Sequence, residues 1–294
     1  MDGRGWLTMV TTASYAPGVV ALALSLEAAG SRGRLRALAT NKAALDALLL
    51  EAAVPPRPTR LDIELFEVQL PEAAPGAPTH HGRGATFAVD MPRRELWSRG
   101  WHGFVLLDSD MVALQNPDLL LDALQESGAS SELLAVPAFR LKQRAFGSSS
   151  SGGGFNAGVM VVPRTSPADS EQLAALVASP PRVEDTEESL LNEVFRGRWA
   201  ELPRGYNCPK RVRAHAPQLW RQMLQGGELV FLHFLGAKPW MCDEQQRRAA
   251  DWEEANPAYA ALEQLVGPLL DLTANALTLF HPTPAVAYLS ARPI

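Results

Sequence analysis

Short apolar runs alternate with helix-patterned segments through the first two thirds of this 294-residue chain. The first run is Trp6–Val10, and Pro17 follows it where the first turn of a helix tolerates a missing N–H. Apolar residues three and four apart then continue to a stop at Gly30. Repeated strand–helix pairs are typical of βα units on a largely parallel sheet, so the sequence predicts an α/β domain.

The same alternation predicts the later elements. Further strands are predicted at residues 35–40, 61–68, 104–107, 133–136, 159–162 and 228–234. Helices are predicted at residues 42–53 with Asn41 as the cap, after Pro117, and at residues 186–195. Acidic residues interspersed in 61–68 indicate an edge strand or one open face. Residues 71–84 are predicted to be a loop, and the Ser/Gly segment 147–154 a lid or loop.

Amino-acid composition limits the classes of protein to which this chain can belong. With 47% hydrophobic residues the chain can bury a full core, and we expect one domain over residues 1–294, with a core at about 5–242 and a helical C-terminal extension at about 243–294. A net charge of -5 excludes nucleic acid as a partner. Cys208 and Cys242 are too few for a disulfide framework. The apolar runs are too short for a signal peptide or a membrane span, so we expect a cytoplasmic protein without a membrane partner.

Asp108 and Asp110 follow the fully apolar strand Phe104–Leu107 and carry the strongest chemical signal. Carboxylates at positions i and i+2 of an extended backbone point to the same side, so both can reach one cation. A solvated turn is the usual interpretation of an isolated Asp-x-Asp pattern. Behind a buried strand, however, the pair lies at the carboxyl edge of a sheet, where ligands bind and where two like charges need a counter-ion.

Several separate blocks, in order over about residues 6–240, resemble the glycogenin-like branch of glycosyltransferase family 8. Besides the Asp-x-Asp strand, the blocks are residues 8–15, 93–97, 155–160, 190–192, 206–207 and 233–240. The last block, His-Phe-Leu-Gly-Ala-Lys-Pro-Trp, is the most specific of them. The resemblance implies a single GT-A type domain, with a Rossmann-like, mostly parallel central sheet flanked by helices and a helical C-terminal elaboration. It also implies retaining transfer of a hexose, glucose or galactose, from a UDP-sugar.

The same resemblance implies that Asp108, Asp110 and His233 hold the divalent cation. Carboxylate oxygens suit Mn²⁺ or Mg²⁺, and one imidazole ligand shifts the preference toward Mn²⁺. A histidine in an apolar strand is more often a hydrogen-bonded core residue. Gly236 and Lys238 favour the ligand role here, because glycine permits close approach of the backbone to a phosphate and lysine places a positive charge on it.

The resemblance also implies a wider nucleotide-sugar site. Its members are Met9, Thr11, Thr12, Tyr15, Arg93, Asp108, Ser109, Asp110, Asn156, Ala157, Glu187, Glu188, His233, Gly236 and Lys238. Tyr15 is expected to stack on uracil, Arg93 to face the donor phosphates or sugar, and Asn156 to bind sugar hydroxyls. The catalytic candidates are Glu187, Asn156, Lys238 and Arg93. Turn and core roles remain the alternatives for the threonines, Tyr15 and Asn156.

The acidic pair Glu187–Glu188 departs from the family pattern, which has Asp followed by Gln near the reacting carbon. We expect Glu187 to lie nearest the donor sugar. The alternative is a charged helix start, since acidic side chains are stabilised at the positive end of the helix dipole.

The acceptor is expected to be another molecule. A self-priming glycogenin would need a tyrosine where this chain has Ala214, so a glycan, glycoprotein or small polyol is favoured, and the family tendency suggests a homodimer. Two other functions stay open. A nucleotidyltransferase usually needs a Gly-rich basic loop after the first strand, and residues 13–18 contain no Lys or Arg. A non-catalytic nucleotide-sugar-binding module remains compatible with the departure at Glu187 and Glu188.

Overall fold

The structure is a computed structural model that describes residues 5–54, 57–66, 96, 103–126, 133–139, 154–163, 168–169, 171–172, 175, 187–236 and 238. The predicted loop at 71–84, most of the Ser/Gly segment at 147–153 and the predicted C-terminal extension lie outside the described residues. Among the described residues, no helix is both long and apolar enough to cross a membrane.

A mostly parallel sheet forms the centre of the molecule, as the alternating pattern predicts. The strands are β1 Trp6–Val10, β2 Leu35–Ala39, β3 Leu61–Leu65, β4 Phe104–Leu107, β5 Met111–Ala113, β6 Leu133–Pro137, β7 Phe155–Val162, β8 Trp199–Glu201, β9 Cys208–Pro209 and β10 Phe231–His233. Seven of them form the sheet β3-β2-β1-β4-β7-β6-β8. Strand β7 is antiparallel to both of its neighbours, and the other pairings in this sheet are parallel.

Helices cover the sheet. They are α1 Ala16–Ala28, α2 Lys42–Ala53, α3 Leu119–Glu126, α4 Glu187–Val194, α5 Val212–His215 and α6 Pro217–Gln225. Pro17 lies in the first turn of α1, and Gly30 follows its end with a φ of 75° that favours glycine. Helix α1 is buried on nearly every side because it packs between the sheet, α2 and β5. Asn41 caps α2 as predicted, since its side-chain oxygen accepts a 2.9 Å hydrogen bond from the Ala44 N–H.

Both faces of the central sheet are buried at β4. Along β4, Val105 and Leu107 pack with α1, whereas Phe104 and Leu106 pack on the opposite face with Leu191 of α4. This double burial explains the continuous apolar run of β4 and fixes the position of the aspartates that follow it. Strand β3 is one of the two edge strands, as its interspersed acidic residues predict.

A second, three-stranded sheet has the order β5-β10-β9. Strand β10 is antiparallel to β5, with His233 opposite Met111, and parallel to β9. The sequence did not predict β5 or β9, and β10 is shorter than the predicted strand at 228–234. This small sheet brings the end of β10 to the residues that follow β4.

Candidate metal and nucleotide-sugar site

The two aspartates lie at the carboxyl end of β4, where the sequence predicts them. The Asp108 N–H donates a 2.9 Å hydrogen bond to the Gly158 carbonyl on β7, which ties the end of β4 to the neighbouring strand. Asp110 is buried, with 5% of its surface exposed, and β5 begins at the next residue. The main chain therefore places one carboxylate at each end of a short turn.

His233 reaches this turn from β10. The backbone N–H of Phe234 donates a 2.9 Å hydrogen bond to the Asp110 carbonyl. The His233 Nε2 atom lies 3.1 Å from Asp110 Oδ1 and 3.4 Å from Asp108 Oδ2. Ligand atoms from the three side chains all lie within 4.8 Å of one another, so the fold assembles the predicted trio from distant parts of the chain.

The Nε2 atom of the imidazole points at the carboxylates. The other ring nitrogen, Nδ1, lies 2.7 Å from Asn207 Oδ1, while the buried Nε2 faces the two carboxylates without a well-aligned hydrogen bond to a described residue. A neutral imidazole with its hydrogen on Nδ1 presents a lone pair at Nε2. A lone pair beside two carboxylates is favourable when a cation lies between them, so these three side chains fit a divalent cation.

The electrostatics of the trio also favour positive charge at this place. Burial lowers the pKa of His233, but the Asp110 and Asp108 carboxylates outweigh burial, and the net effect raises the pKa. Burial raises the pKa of Asp110, but His233 and Lys238 outweigh it, and the pKa falls well below its usual range. Asp110 is therefore held as a carboxylate, the form that binds metals.

Gly158 makes room for the imidazole. A Cβ atom at this position would lie 2.7 Å from His233 Cε1 and 2.9 Å from its Nδ1. The ring therefore packs directly on the backbone of β7. This contact gives a physical reason for glycine in the Phe-Asn-Ala-Gly-Val block.

Lys238 joins the same cluster. Its ammonium forms an ion pair with Asp110 Oδ2 and donates a 2.8 Å hydrogen bond to the Phe234 carbonyl. It also lies 5.7 Å from the centroid of the Tyr15 ring, within the range of a cation–π contact. Burial raises the pKa of Tyr15 to about 12, with the Asp110 and Asp108 charges adding to the effect. Gly236 has a φ of 84°, which suits glycine in the turn between β10 and Lys238.

Asn156 lies inside β7 and contacts Glu188 of α4. Its Nδ2 donates a 2.7 Å hydrogen bond to Glu188 Oε2, and the same oxygen accepts a 3.3 Å bond from the Ala157 N–H. Asn156 Oδ1 accepts from the Gly158 N–H at 3.0 Å and from Asn207 Nδ2 at 2.6 Å. Burial raises the pKa of Glu188. The amide oxygen thus already accepts two hydrogen bonds, and the amide NH₂ group has one N–H left for a ligand.

The remaining predicted residues surround this cluster or lie outside the described part. Met9 is buried at the end of β1, Thr11 and Thr12 follow it, and Ser109 is buried between the aspartates. Glu187 is buried in the first turn of α4. Arg93 lies outside the described residues, so its predicted contact with the donor stays a prediction.

Two asparagines have roles that the sequence did not assign. Asn207 connects His233 to Asn156. Asn192 holds α4 against β7, because its side chain accepts from the Phe155 N–H at 2.8 Å and donates to the Phe155 carbonyl at 2.9 Å. Both residues belong to blocks that carry the family resemblance, which was the available signal for them.

The fold is similar to those of solved glycosyltransferases. The apo bifunctional glycosyltransferase WbbM matches with a TM-score of 0.55 and 18% identity, over 81% of this chain and 47% of that chain. The apo glycosyltransferase GlyE of Streptococcus pneumoniae matches with a TM-score of 0.53 and 17% identity, over 92% and 63%. The galactosyltransferase LgtC in complex with donor and acceptor sugar analogues matches with a TM-score of 0.55 and 18% identity, over 92% and 97%.

These similarities show a GT-A glycosyltransferase fold, as the sequence predicts. The chain spans about half of the WbbM chain and less than two thirds of the GlyE chain. No protein-family model matches the chain, and no curated protein matches it.

Proposed function

We propose that this protein is a retaining, Mn²⁺-dependent glycosyltransferase of family 8. It transfers a hexose, glucose or galactose, from a UDP-sugar to a hydroxyl of a glycan, glycoprotein or small polyol. The observation that carries the proposal is the geometry of the trio: the buried His233 Nε2 lies 3.1 Å from Asp110 and 3.4 Å from Asp108. The similarity in fold to LgtC, solved with donor and acceptor sugar analogues, supports it.

Asp108, Asp110 and His233 would hold the cation, and two oxygen ligands with one imidazole suit Mn²⁺. A cation bound there supplies Lewis-acid stabilisation of the negative charge on the departing diphosphate. Lys238 lies against Asp110 and adds a second positive charge for the same leaving group. Tyr15 packs against the Lys238 ammonium, and its exposed part is our proposed platform for the uracil ring.

The reaction that we propose replaces one bond to the anomeric carbon by another on the same face. The bond from that carbon to the diphosphate oxygen breaks, and the bond to the acceptor oxygen forms. The acceptor proton passes to an oxygen of the leaving diphosphate, so no protein base is required. Glu187, Asn156 and Arg93 are proposed to contact the donor, with Glu187 nearest the sugar. The role of these side chains is to orient the sugar and exclude water from the cationic carbon.

The proposal extends to the state of the protein in the cell. We propose a single domain over residues 1–294 that acts in the cytoplasm as a homodimer. A buried free thiol at Cys208, whose pKa burial raises to about 12, is compatible with a reducing compartment. Light scattering on the purified protein tests the dimer, and a monomer mass would contradict it.

Hydrolysis of UDP-sugars without an acceptor is the direct test of the activity. We expect Mn²⁺-dependent release of UDP from UDP-glucose or UDP-galactose, and abolition of this release by Asp110→Asn. Asp46→Asn is the matched control, because Asp46 is an exposed aspartate on α2 that pairs with Lys42. NMR of the product formed with an acceptor should show an α-linkage. If UDP binds but no sugar nucleotide is turned over, the protein is a binding module instead.

A further inference from the structure

A continuous line of side-chain hydrogen bonds runs from α4 to the imidazole of His233. Glu188 Oε2 accepts from Asn156 Nδ2 at 2.7 Å, and Asn156 Oδ1 accepts from Asn207 Nδ2 at 2.6 Å. Asn207 Oδ1 lies 2.7 Å from His233 Nδ1. The line therefore connects a glutamate on a helix to a candidate metal ligand on β10 through two amides.

The direction of these bonds is fixed at the Glu188 end. A carboxylate oxygen accepts, so the Asn156 amide must turn its NH₂ group toward Glu188 and its oxygen toward Asn207. A proton on Glu188 would leave this unchanged, because Oε1 can carry it while Oε2 still accepts. Asn207 must then donate through its NH₂ group and accept at its oxygen. The group that donates to that oxygen is the N–H at Nδ1 of His233.

Two backbone donors enforce the same direction independently. The Ala157 N–H donates to Glu188 Oε2 at 3.3 Å, and the Gly158 N–H donates to Asn156 Oδ1 at 3.0 Å. Backbone N–H groups cannot act as acceptors, so reversing the amide of Asn156 would set an NH₂ group against an N–H. Asn207 and His233 are each only 1% exposed, so water cannot easily replace a lost partner.

Asn192 holds the start of the line in place. Its Nδ2 donates to the Glu188 carbonyl at 2.7 Å and to the Phe155 carbonyl at 2.9 Å. These bonds therefore fix the distance between Glu188 and Asn156 where α4 packs on β7.

We propose that Glu188, Asn156 and Asn207 are positioning residues that hold the hydrogen of His233 on Nδ1 and thereby present the Nε2 lone pair to the cation. This proposal rests on the proposed function of the site as a metal centre. It gives Glu188, where the family pattern has glutamine, the role of a fixed acceptor. Partners that orient a ligating histidine typically change metal affinity by about 10- to 100-fold when they are removed.

The test compares four variants by titrating Mn²⁺ in the absence of nucleotide and following the free ion by electron paramagnetic resonance. Asn207→Ala and Glu188→Ala remove members of the line. Glu188→Gln keeps an oxygen that can accept from both Asn156 and Ala157. Asn116→Ala is the remote control, because this amide caps a loop by donating to the Gly30 carbonyl. Nitrogen NMR of His233 in the Zn²⁺-loaded protein reports which ring nitrogen carries the hydrogen.

We expect Asn207→Ala and Glu188→Ala to lower Mn²⁺ affinity by about 10- to 100-fold. Glu188→Gln and Asn116→Ala should retain the wild-type affinity. In the wild type, Nδ1 of His233 should carry the hydrogen, and in Asn207→Ala its resonance should move. A structural role alone would lower thermal stability without moving this resonance. Should Asn207→Ala not fold, Glu188→Ala carries the test, because Glu188 is only half-buried.

The outcomes separate this proposal from the proposed function. Unchanged Mn²⁺ affinity in both alanine variants, or an equal loss in Glu188→Gln and Glu188→Ala, would overturn the positioning role while leaving the transferase intact. If the variants show the expected ranking of Mn²⁺ affinities but the protein turns over no UDP-sugar, the proposed transferase activity is contradicted. The positioning role of the three residues would still hold. A wild-type protein that binds no Mn²⁺ would contradict both.

Discussion

At the level of single residues, part of the candidate site can be predicted from the sequence. Asp108 and Asp110 are predicted from the apolar strand before them, and His233 from the glycine and lysine that follow it. The role of Asn207 could not be predicted, because a side-chain amide gains its function from the partners that the fold brings to it. Asn207 lies 26 positions from His233 and 51 from Asn156.

Gly158 provides the sharpest test at this scale. In Gly158→Ala the added methyl would lie within 3 Å of both the His233 ring and Asn156 Oδ1, so the ring cannot keep its present position unless its neighbours move. We expect Mn²⁺ affinity, measured by calorimetric titration, to fall by about tenfold or more, as for other losses of ligand orientation. Gly197→Asn is the control, because Gly197 has a φ of 69° that asparagine tolerates and open space around it. Wild-type affinity in Gly158→Ala would show that the contact does not position the ring.

Among helices and strands, the length of an element decides whether its sequence pattern predicts it. The strand β1 and the helix α2 were predicted at the bounds that the structure gives them, because each is long enough to show a pattern. Strands β5 and β9 have three and two residues, too few for any periodicity to be visible. These short strands form only because β10 lies between them, so their existence is a tertiary effect.

The cap of α2 is an element whose loss should leave Asp108, Asp110 and His233 in place, although Asn41 Nδ2 also donates a 2.9 Å hydrogen bond to the Thr11 carbonyl. Asn41→Ala removes the acceptor for the Ala44 N–H, and we expect a loss of about 1 kcal/mol in the free energy of unfolding by urea. Asn41→Ser keeps a capping oxygen but loses the amide donor to the Thr11 carbonyl, so it should recover only part of this loss. Mn²⁺ affinity should be the same in all three proteins, because α2 contributes none of the candidate ligands. A change in affinity in Asn41→Ala would mean that α2 is coupled to the site.

At the scale of the whole molecule, the alternation of apolar and helical segments predicts a mostly parallel sheet, and the structure confirms it. The strand order and the reversed direction of β7 could not be predicted, since both depend on long-range pairing. That reversal has a consequence for the site. Because β7 runs antiparallel to β4, the start of β7 lies beside the end of β4, and Asn156 and Gly158 lie next to the candidate metal ligands.

Ligand binding should stabilise the whole fold by mass action. Since Mn²⁺ and UDP would bind the native state at residues from three distant segments, we expect their joint addition to raise the melting temperature. At 100 times the dissociation constant the gain is about 2.7 kcal/mol. EDTA should reverse the shift, and Asp110→Asn should show none. An equal shift in Asp110→Asn would place the bound ion elsewhere.

The proposed function depends on Asp108, Asp110 and His233 holding one divalent cation. The most direct measurement is the anomalous difference density of a crystal soaked with Mn²⁺ and UDP. We predict a single strong peak between the three side chains, with His233 Nε2 and one oxygen of each aspartate at bonding distance and the UDP diphosphate on the remaining side. A peak away from these residues, or none at saturating Mn²⁺, would contradict the account.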